Sequence, residues 1–343
     1  MADKLVTLIL PAWNAETTVE TAVRSVLNQS YRNLRLVAVD DGSVDETPAI
    51  LRRLAAEDPR LQVLSVPNGG PAAARNRALS LLGEDTDYVM FLDADDYLVS
   101  DAVERALNGA ADGAELVIFG YAIQLPDGGV RLYREPEQQL RGEGLYTQLP
   151  RLYRANLLSQ VWGKLFDAKL LRGLRFPDLR WGEDRLFLFD VLERVSCARV
   201  LPRCGYCYVM RPGESLISRY DEGKFAICCK VDARMEALCG SCAPEEAEAL
   251  RAMFAKSVFS CVTTLFSPTC KLRRREKRAA VRRMLRHPRV RLRCRGASGG
   301  FPVRLLCAVL RSGIPELSLL SFRLVALAGE CFPGLYFRLK HRK

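Results

Sequence analysis

The residues of this chain best placed to do chemistry are two acidic turns, each closing an apolar run. Asp93-Ala94-Asp95-Asp96 ends the run Tyr88–Leu92, and Asp40-Asp41-Gly42-Ser43 ends Leu34–Val39. Carboxylates at such spacing beside a crevice suit Mg²⁺ or Mn²⁺ holding a diphosphate, because these hard cations take oxygen ligands and bridge phosphate oxygens while keeping waters. Either turn alone also reads as a solvated loop, with Asp95 or Asp96 capping a following turn. Two of them at strand ends of one sheet are harder to dismiss. The chain's two histidines, His287 and His341, both lie in its basic C-terminal stretch, so a Ser-His or Cys-His hydrolase finds little support.

The elements that must position these turns follow from periodicity. Leu5–Leu10 predicts a strand ended by Pro11, and Val19, Ala22, Val23, Val26 and Leu27 recur at helical spacing. Leu34–Val39 is a second strand, Pro48–Ala56 a helix, Leu61–Val66 a third strand and Asn68-Gly69-Gly70-Pro71 a turn. Ala72–Leu82 is then a helix and Tyr88–Leu92 a fourth strand, followed by a helix over Asp101–Leu107 and a strand over Leu116–Phe119. Strand and helix alternating through short connections predict an α/β fold with a mostly parallel sheet covered on both faces, which binds ligands at the carboxyl ends of its strands. A loop-rich stretch is expected from Pro126 to Pro150, a strand over Cys204–Val209 and helices from Lys224 onward.

Composition narrows the class. With 343 residues, 49% hydrophobic and 27% charged, the chain has material for a large core and is neither fibrous nor disordered. The opening MADKLVTLILPAW lacks the basic lead and long apolar run of a secretory signal, so the 12 Cys are expected to be reduced thiols in a cytosolic setting. Cys204-x-x-Cys207 and Cys239-x-x-Cys242 have the form of a zinc site, but strand residues three apart face opposite sides. Of the net charge of +11, the excess lies in residues 271–343, with 20 Lys and Arg against 3 Asp and Glu. Basic clusters beside the interrupted apolar runs Phe301–Leu310 and Leu317–Phe337 predict contact with an anionic membrane surface. The alternative is a helical face packed on the rest of the protein. No nucleic acid is expected, since aromatics are not interleaved with the arginines.

The strings LILPAWNAETTVETAVRSVLNQSY, VAVDDGSVDET, NGGPAAARNRAL and FLDADDYL, in this order, resemble the donor-binding half of a family 2 glycosyltransferase with the GT-A fold. The resemblance is close over about residues 5–100 and weaker to about 220. It implies a nucleotide-sugar donor, commonly a UDP-sugar, and inversion at the anomeric carbon. It places Pro11, Ala12 and Trp13 at the base and ribose, Glu16 in support of that loop, and Asp41 beside Asp40 on the base. Arg75 matches a position contacting phosphate or ribose, Asp93 meets the ribose or a metal-bound water, and Asp95 ligates the metal directly. Trp181-Gly182-Glu183-Asp184-Arg185-Leu186-Phe187 resembles the segment whose carboxylate deprotonates the acceptor, a role given to Asp184 with Glu183 as runner-up. Trp162-Gly163-Lys164-Leu165-Phe166 is similar to a segment of polysaccharide-assembling members, with Lys164 approaching the diphosphate.

The expected organisation is a donor half over 1–100, an acceptor half of the same catalytic domain over 101–223, and a basic helical extension over 224–343. The acceptor is expected to be a glycan or lipid-linked glycan, and the enzyme to lie in the cytoplasm, peripheral to the membrane. Two other classes share some of these features. A metal-dependent nucleotidyltransferase also uses strand-end carboxylates but usually carries a Gly-rich triphosphate loop where this chain has Pro-Ala-Trp-Asn. A catalytically silent nucleotide-sugar-binding module would more naturally have lost Asp95 or Asp184.

Overall fold

The computed structural model describes residues 4–211, 219–240, 242–294, 301–317, 319–321 and 323. It divides into two compact units, Met1–Pro212 and Gly213–Lys343.

The first unit opens with strand β1 (Val6–Ala12), helix α1 (Val19–Leu27), β2 (Leu34–Asp40), α2 (Thr47–Glu57), β3 (Leu61–Ser65), α3 (Pro71–Leu79) and β4 (Tyr88–Phe91). These follow the expected alternation, and their order explains it: β1 pairs parallel with both β2 and β4, and β2 with β3. Leu8, Ile9 and Leu10 are fully buried on β1, as a central parallel strand covered on both faces requires. Each such side chain contributes about 1.5–3 kcal/mol of burial. Because β1, β2 and β4 run the same way, their carboxyl ends at Ala12, Asp40 and Phe91 open on one edge of the sheet.

The unit continues with β5 (Tyr97–Leu98), α4 (Ala102–Ala110), β6 (Leu116–Gln124), β7 (Val130–Tyr133), β8 (Gln138–Arg141), α5 (Glu143–Arg154), β9 (Lys164–Asp167), α6 (Ala168–Leu171), α7 (Glu183–Leu192) and β10 (Cys197–Val209). The sheet order is β3-β2-β1-β4-β9-β6-β10-β5, with β7 on β6 and β8 on β10. The sheet is parallel through the first four strands and mixed beyond, since β9 inserts antiparallel between β4 and β6. The loop-rich reading of 126–150 is corrected: that stretch holds β7, β8 and the first part of α5. β7 is partly exposed along its length and β8 buries only Leu140, so neither shows a continuous apolar run. Pro150, which reads as a breaker, lies inside α5.

The second unit is helical among its described residues: α8 (Lys224–Cys239), α9 (Pro244–Thr263), α10 (Arg274–Arg286), α11 (Pro288–Arg293) and α12 (Phe301–Arg311). The segment Pro244–Phe266 is long and apolar enough to cross a membrane, yet Leu250, Phe254, Ala255, Val258, Cys261 and Val262 are buried, as in a core helix among α8, α11 and α12. Most of the apolar run Leu317–Phe337 lies outside the described residues. The described cysteines are free thiols. Cys204 and Cys207 lie along β10, and among the described residues no Cys or His group gathers in metal-binding geometry.

Candidate active site

The site is built on the shared edge of β1, β2 and β4. After β1, Asn14 takes a left-handed turn at φ 46°, and the loop it forms is stitched to the one after β2. Asn14 N–H donates to Ser43 Oγ at 3.0 Å, its side-chain oxygen accepts from Val44 N–H at 2.9 Å, and Ala15 N–H donates to Thr47 Oγ1 at 2.7 Å. Glu16 Oε2 accepts from Glu46 N–H at 3.0 Å, so its carboxylate braces the loop. Pro11 and Ala12 are the inner lip. Trp13 stands 58% exposed above them, which excludes it from the core and leaves its ring free to stack.

Asp40 and Asp41 are both buried. Asp40 Oδ1 accepts from Ser43 N–H at 3.1 Å. Asp41 accepts from the N–H groups of Gly69 at 2.9 Å and Gly70 at 2.7 Å, wrapping the Asn68-Gly69-Gly70 turn around the end of β2. Gly42 sits at φ +70°, where an added Cβ would lie 2.7 Å from Asn68 N, so the two loops meet only because that residue has no side chain. The turn delivers Pro71 to the first position of α3 and sets Arg75 one turn in.

Arg75 joins the two halves of the sheet. Its side chain is 4% exposed, with Nη2 at 2.7 Å from Asp93 Oδ1, Nη1 at 2.8 Å from Asp184 Oδ1 and Glu183 Oε1 at 3.6 Å. The Phe176 ring lies 5.4 Å beneath the guanidinium and stacks on Phe187 at 3.8 Å. Burial alone would lower this guanidinium's pKa; the charges of Asp184, Asp93 and Glu183 outweigh it and raise the pKa. Asp184 and Glu183 form the first turn of α7, after Gly182 at φ 80°. There the helix dipole favours anions. Burial raises both their pKa values, Glu183 to about 7 with the Asp184 charge as second cause, while Arg75 opposes the rise.

The acidic turn after β4 sorts into different roles. Ligand atoms of Asp93, Asp95 and Asp96 lie within 4.8 Å of one another. Asp96, however, is spoken for: Tyr206 OH donates to it at 2.6 Å and Val209 N–H at 2.9 Å, and burial, with Asp93 and Asp95 behind it, pushes its carboxyl up to about 8. It ties the turn to β10. Asp95 is 56% exposed, with Arg211 at 3.6 Å, a solvated pair of little strength. The protein packed around its exposed carboxylate and the Asp93 charge raise its pKa. Asp95 is thus the carboxylate left to take a cation, with Asp93, held on one oxygen by Arg75, beside it, and two carboxylates plus phosphate oxygens and waters match what Mg²⁺ or Mn²⁺ ordinarily accept.

Lys164 is withdrawn from solvent at 1% exposure. Its Nζ donates to the carbonyls of Gln160 at 2.7 Å and Trp162 at 3.2 Å, and burial lowers its pKa to about 7 against the opposing charge of Asp184. It holds the turn over residues 160–164 in place.

Tyr206 and Phe176 escape a reading of the sequence, and Trp162 enters it only as the head of a resembling segment. Tyr206 links Asp93 N–H, at 3.3 Å, to Asp96, and Trp162 stacks on it at 4.2 Å. Phe176 is tied by both backbone groups to the Asn76 side chain. Only their aromatic type was available as a signal.

Residues 7–179 match the sequence profile of Glycosyl transferase family 2. The chain belongs to that family. It is 32% identical over 198 residues to an uncharacterized glycosyltransferase of Haemophilus influenzae, covering 56% of this chain and 73% of the relative. It is 30% identical over 229 residues to the succinoglycan biosynthesis protein ExoO of Rhizobium meliloti, covering 63% of this chain and 64% of that one, so it spans a little under two thirds of that relative's length. Among solved structures, residues 1–349 of S. aureus TarS in complex with UDP-GlcNAc superpose with a TM-score of 0.67 at 21% identity, over 93% of this chain and 91% of that chain. The fold of this family 2 member is accordingly GT-A, as the resemblance implied.

Proposed function

We propose that the chain is an inverting, metal-dependent glycosyltransferase, moving a hexosyl or N-acetylhexosaminyl group from a UDP-sugar to a hydroxyl of a glycan or lipid-linked glycan. The observation that carries this reading is the Arg75 bridge. One buried guanidinium holds a carboxylate of the acidic turn, Asp93, and a carboxylate at the head of α7, Asp184, fixing a donor-binding group and a proton acceptor within one ion-pair network. The UDP-GlcNAc complex of TarS and the polysaccharide role in the name of ExoO support the choice of donor and setting. Nucleotide-sugar donors place the work on the cytoplasmic side.

In this mechanism Trp13 stacks on the base, and the loops braced by Glu16 and Asp41 cradle the nucleoside. Asp95 and Asp93 would hold Mg²⁺ or Mn²⁺, which supplies positive charge against the departing diphosphate. Asp184 takes the proton of the acceptor hydroxyl as its oxygen attacks the anomeric carbon in line with the leaving phosphate, so configuration inverts in a single displacement. Arg75 favours the anionic form of Asp184 against its burial and fixes its orientation through the 2.8 Å contact.

Two outcomes test the donor side. Asp95→Asn is expected to abolish transfer and the metal dependence of UDP affinity, with stability kept within about 0.5 kcal/mol because the side chain is largely solvated. A metal titration of UDP binding by calorimetry checks this, and an unchanged metal dependence would remove Asp95 from the site. Trp13→Ala is expected to weaken UDP binding by about 1–3 kcal/mol, the worth of one base stack, with the thermal midpoint unmoved. Equal affinities for UDP in the two proteins would place the base elsewhere.

A further inference from the structure

The second unit carries a surface that the transfer reading does not use. α10 buries Ala280, Val281, Met284 and Leu285 and exposes Arg275, Arg278, Arg282 and Arg286 at helical spacing on its opposite face. Arg278 is paired with Glu316, which brings the segment after α12 against this row. That segment holds Ile314, Leu317 and Leu320, exposed at 50%, 41% and 60%. With Leu292 and Leu305 they make up five of the ten exposed large apolar residues among those described, so apolar exposure is concentrated in the second unit, and Ile314, Leu317 and Leu320 lie on the segment that Glu316 ties to Arg278.

Not every basic residue of the stretch belongs to this surface. Arg289 and Arg293 turn inward onto Asp232 and Glu236, with Arg293 Nη2 at 2.7 Å from Asp232 Oδ1. Both flank a buried carboxylate and are spent on the fold. Arg275, Arg282 and Arg286 meet no carboxylate within ion-pair distance among the described residues.

We propose that α10 and the segment around Ile314–Leu320 form an interfacial surface that seats on an anionic lipid bilayer, the arginines at the headgroups and the leucines and isoleucine at the acyl boundary. A soluble anionic polymer or a nucleic acid would satisfy the arginines and leave the neighbouring apolar side chains in water. A bilayer surface satisfies both, because basic and apolar groups lie at adjoining depths in it. The inference rests on the second unit alone and stands whether or not the transfer reading does.

The test is co-sedimentation of the full chain with vesicles of phosphatidylcholine alone or mixed with phosphatidylglycerol, over a salt series. The expected result is binding to the mixed vesicles that weakens as salt shortens the screening length, with little binding to the neutral ones. Substituting Arg275→Gln, Arg282→Gln and Arg286→Gln together should cost on the order of a hundredfold in affinity, with circular dichroism unchanged. Leu317→Ser with Leu320→Ser should remove the fraction that survives high salt. Arg289→Gln should instead lower the thermal midpoint, since it strips a partner from Asp232. Unaltered vesicle binding by the triple arginine variant would overturn the proposal. So would binding to soluble polyphosphate or duplex DNA in the absence of any binding to the mixed vesicles.

Discussion

Asp184→Asn is expected to lower kcat by about 10²–10⁴, the usual contribution of a positioned general base, while the affinity for UDP-sugar stays within about twofold. The amide is nearly isosteric, and Arg75 keeps its 2.7 Å contact with Asp93 as well as the nearby Glu183, so the site should remain assembled. The loss falls on turnover because a neutral sugar hydroxyl is a poor nucleophile without a proton acceptor, and the proposed mechanism gives Asp184 no part in holding the nucleotide. Glu183→Gln should cost less, since Glu183 lies at 3.6 Å from Arg75, farther than the 2.8 Å of Asp184, and is the runner-up for the role. The pH profile carries the same assignment. Burial raises the pKa of Asp184, so the ionised base is lost as pH falls through that raised value, and the acid limb of kcat/KM should lie above the ordinary aspartate range. Single-turnover kinetics beside calorimetric donor affinity separate the outcomes. Affinity falling as far as the rate would move Asp184 to the donor site.

How much of this was legible in the chain differs by region, for physical reasons. β1 to β4 could be read because a parallel strand buried on both faces must be continuously apolar, and Leu8, Ile9 and Leu10 announce one. β7 and β8 could not, because a partly exposed strand shows no such run. The acidic turns were visible as turns, but the division of labour within Asp93-Ala94-Asp95-Asp96 was not. It depends on Tyr206 and the Val209 N–H reaching Asp96 from 110 and 113 residues away, and nothing local encodes such a partner. Arg75 shows the same limit. By resemblance it reads as a contact to phosphate or ribose, and its pairing with Asp184 spans 109 residues. Lys164, placed near a diphosphate by resemblance, donates to two carbonyls within its own turn. In the basic stretch, counting charges does not distinguish the inward arginines from the outward ones, which only the position of Asp232 on α8 decides.

Arg75→Met should destabilise the first unit by about 3–5 kcal/mol at neutral pH, the cost of leaving buried charges without their partner. The methionine replaces the volume over Phe176, so packing is not the main loss. What remains is Asp93, Asp184 and Glu183 facing one another in a recess where burial already raises the last two. Without the guanidinium the pKa values of Asp184 and Glu183 must climb further, and the native state then binds protons that the unfolded state, with ordinary carboxylates, does not. Stability falls with rising pH wherever the native state binds more protons. The variant should therefore recover part of its lost stability as pH drops from about 8 toward the ordinary carboxylate range, with a steeper slope than the parent protein. Arg75→Lys should fall between the two, because an ammonium keeps the charge but lacks the planar fork that reaches Asp93 and Asp184 at once. Urea denaturation midpoints of the three proteins at several pH values measure all of this. A midpoint for Arg75→Met equal to the parent's at neutral pH, or a pH slope no steeper, would show that the three carboxylates do not depend on Arg75, and the bridge between the acidic turn and the head of α7 would lose its physical basis.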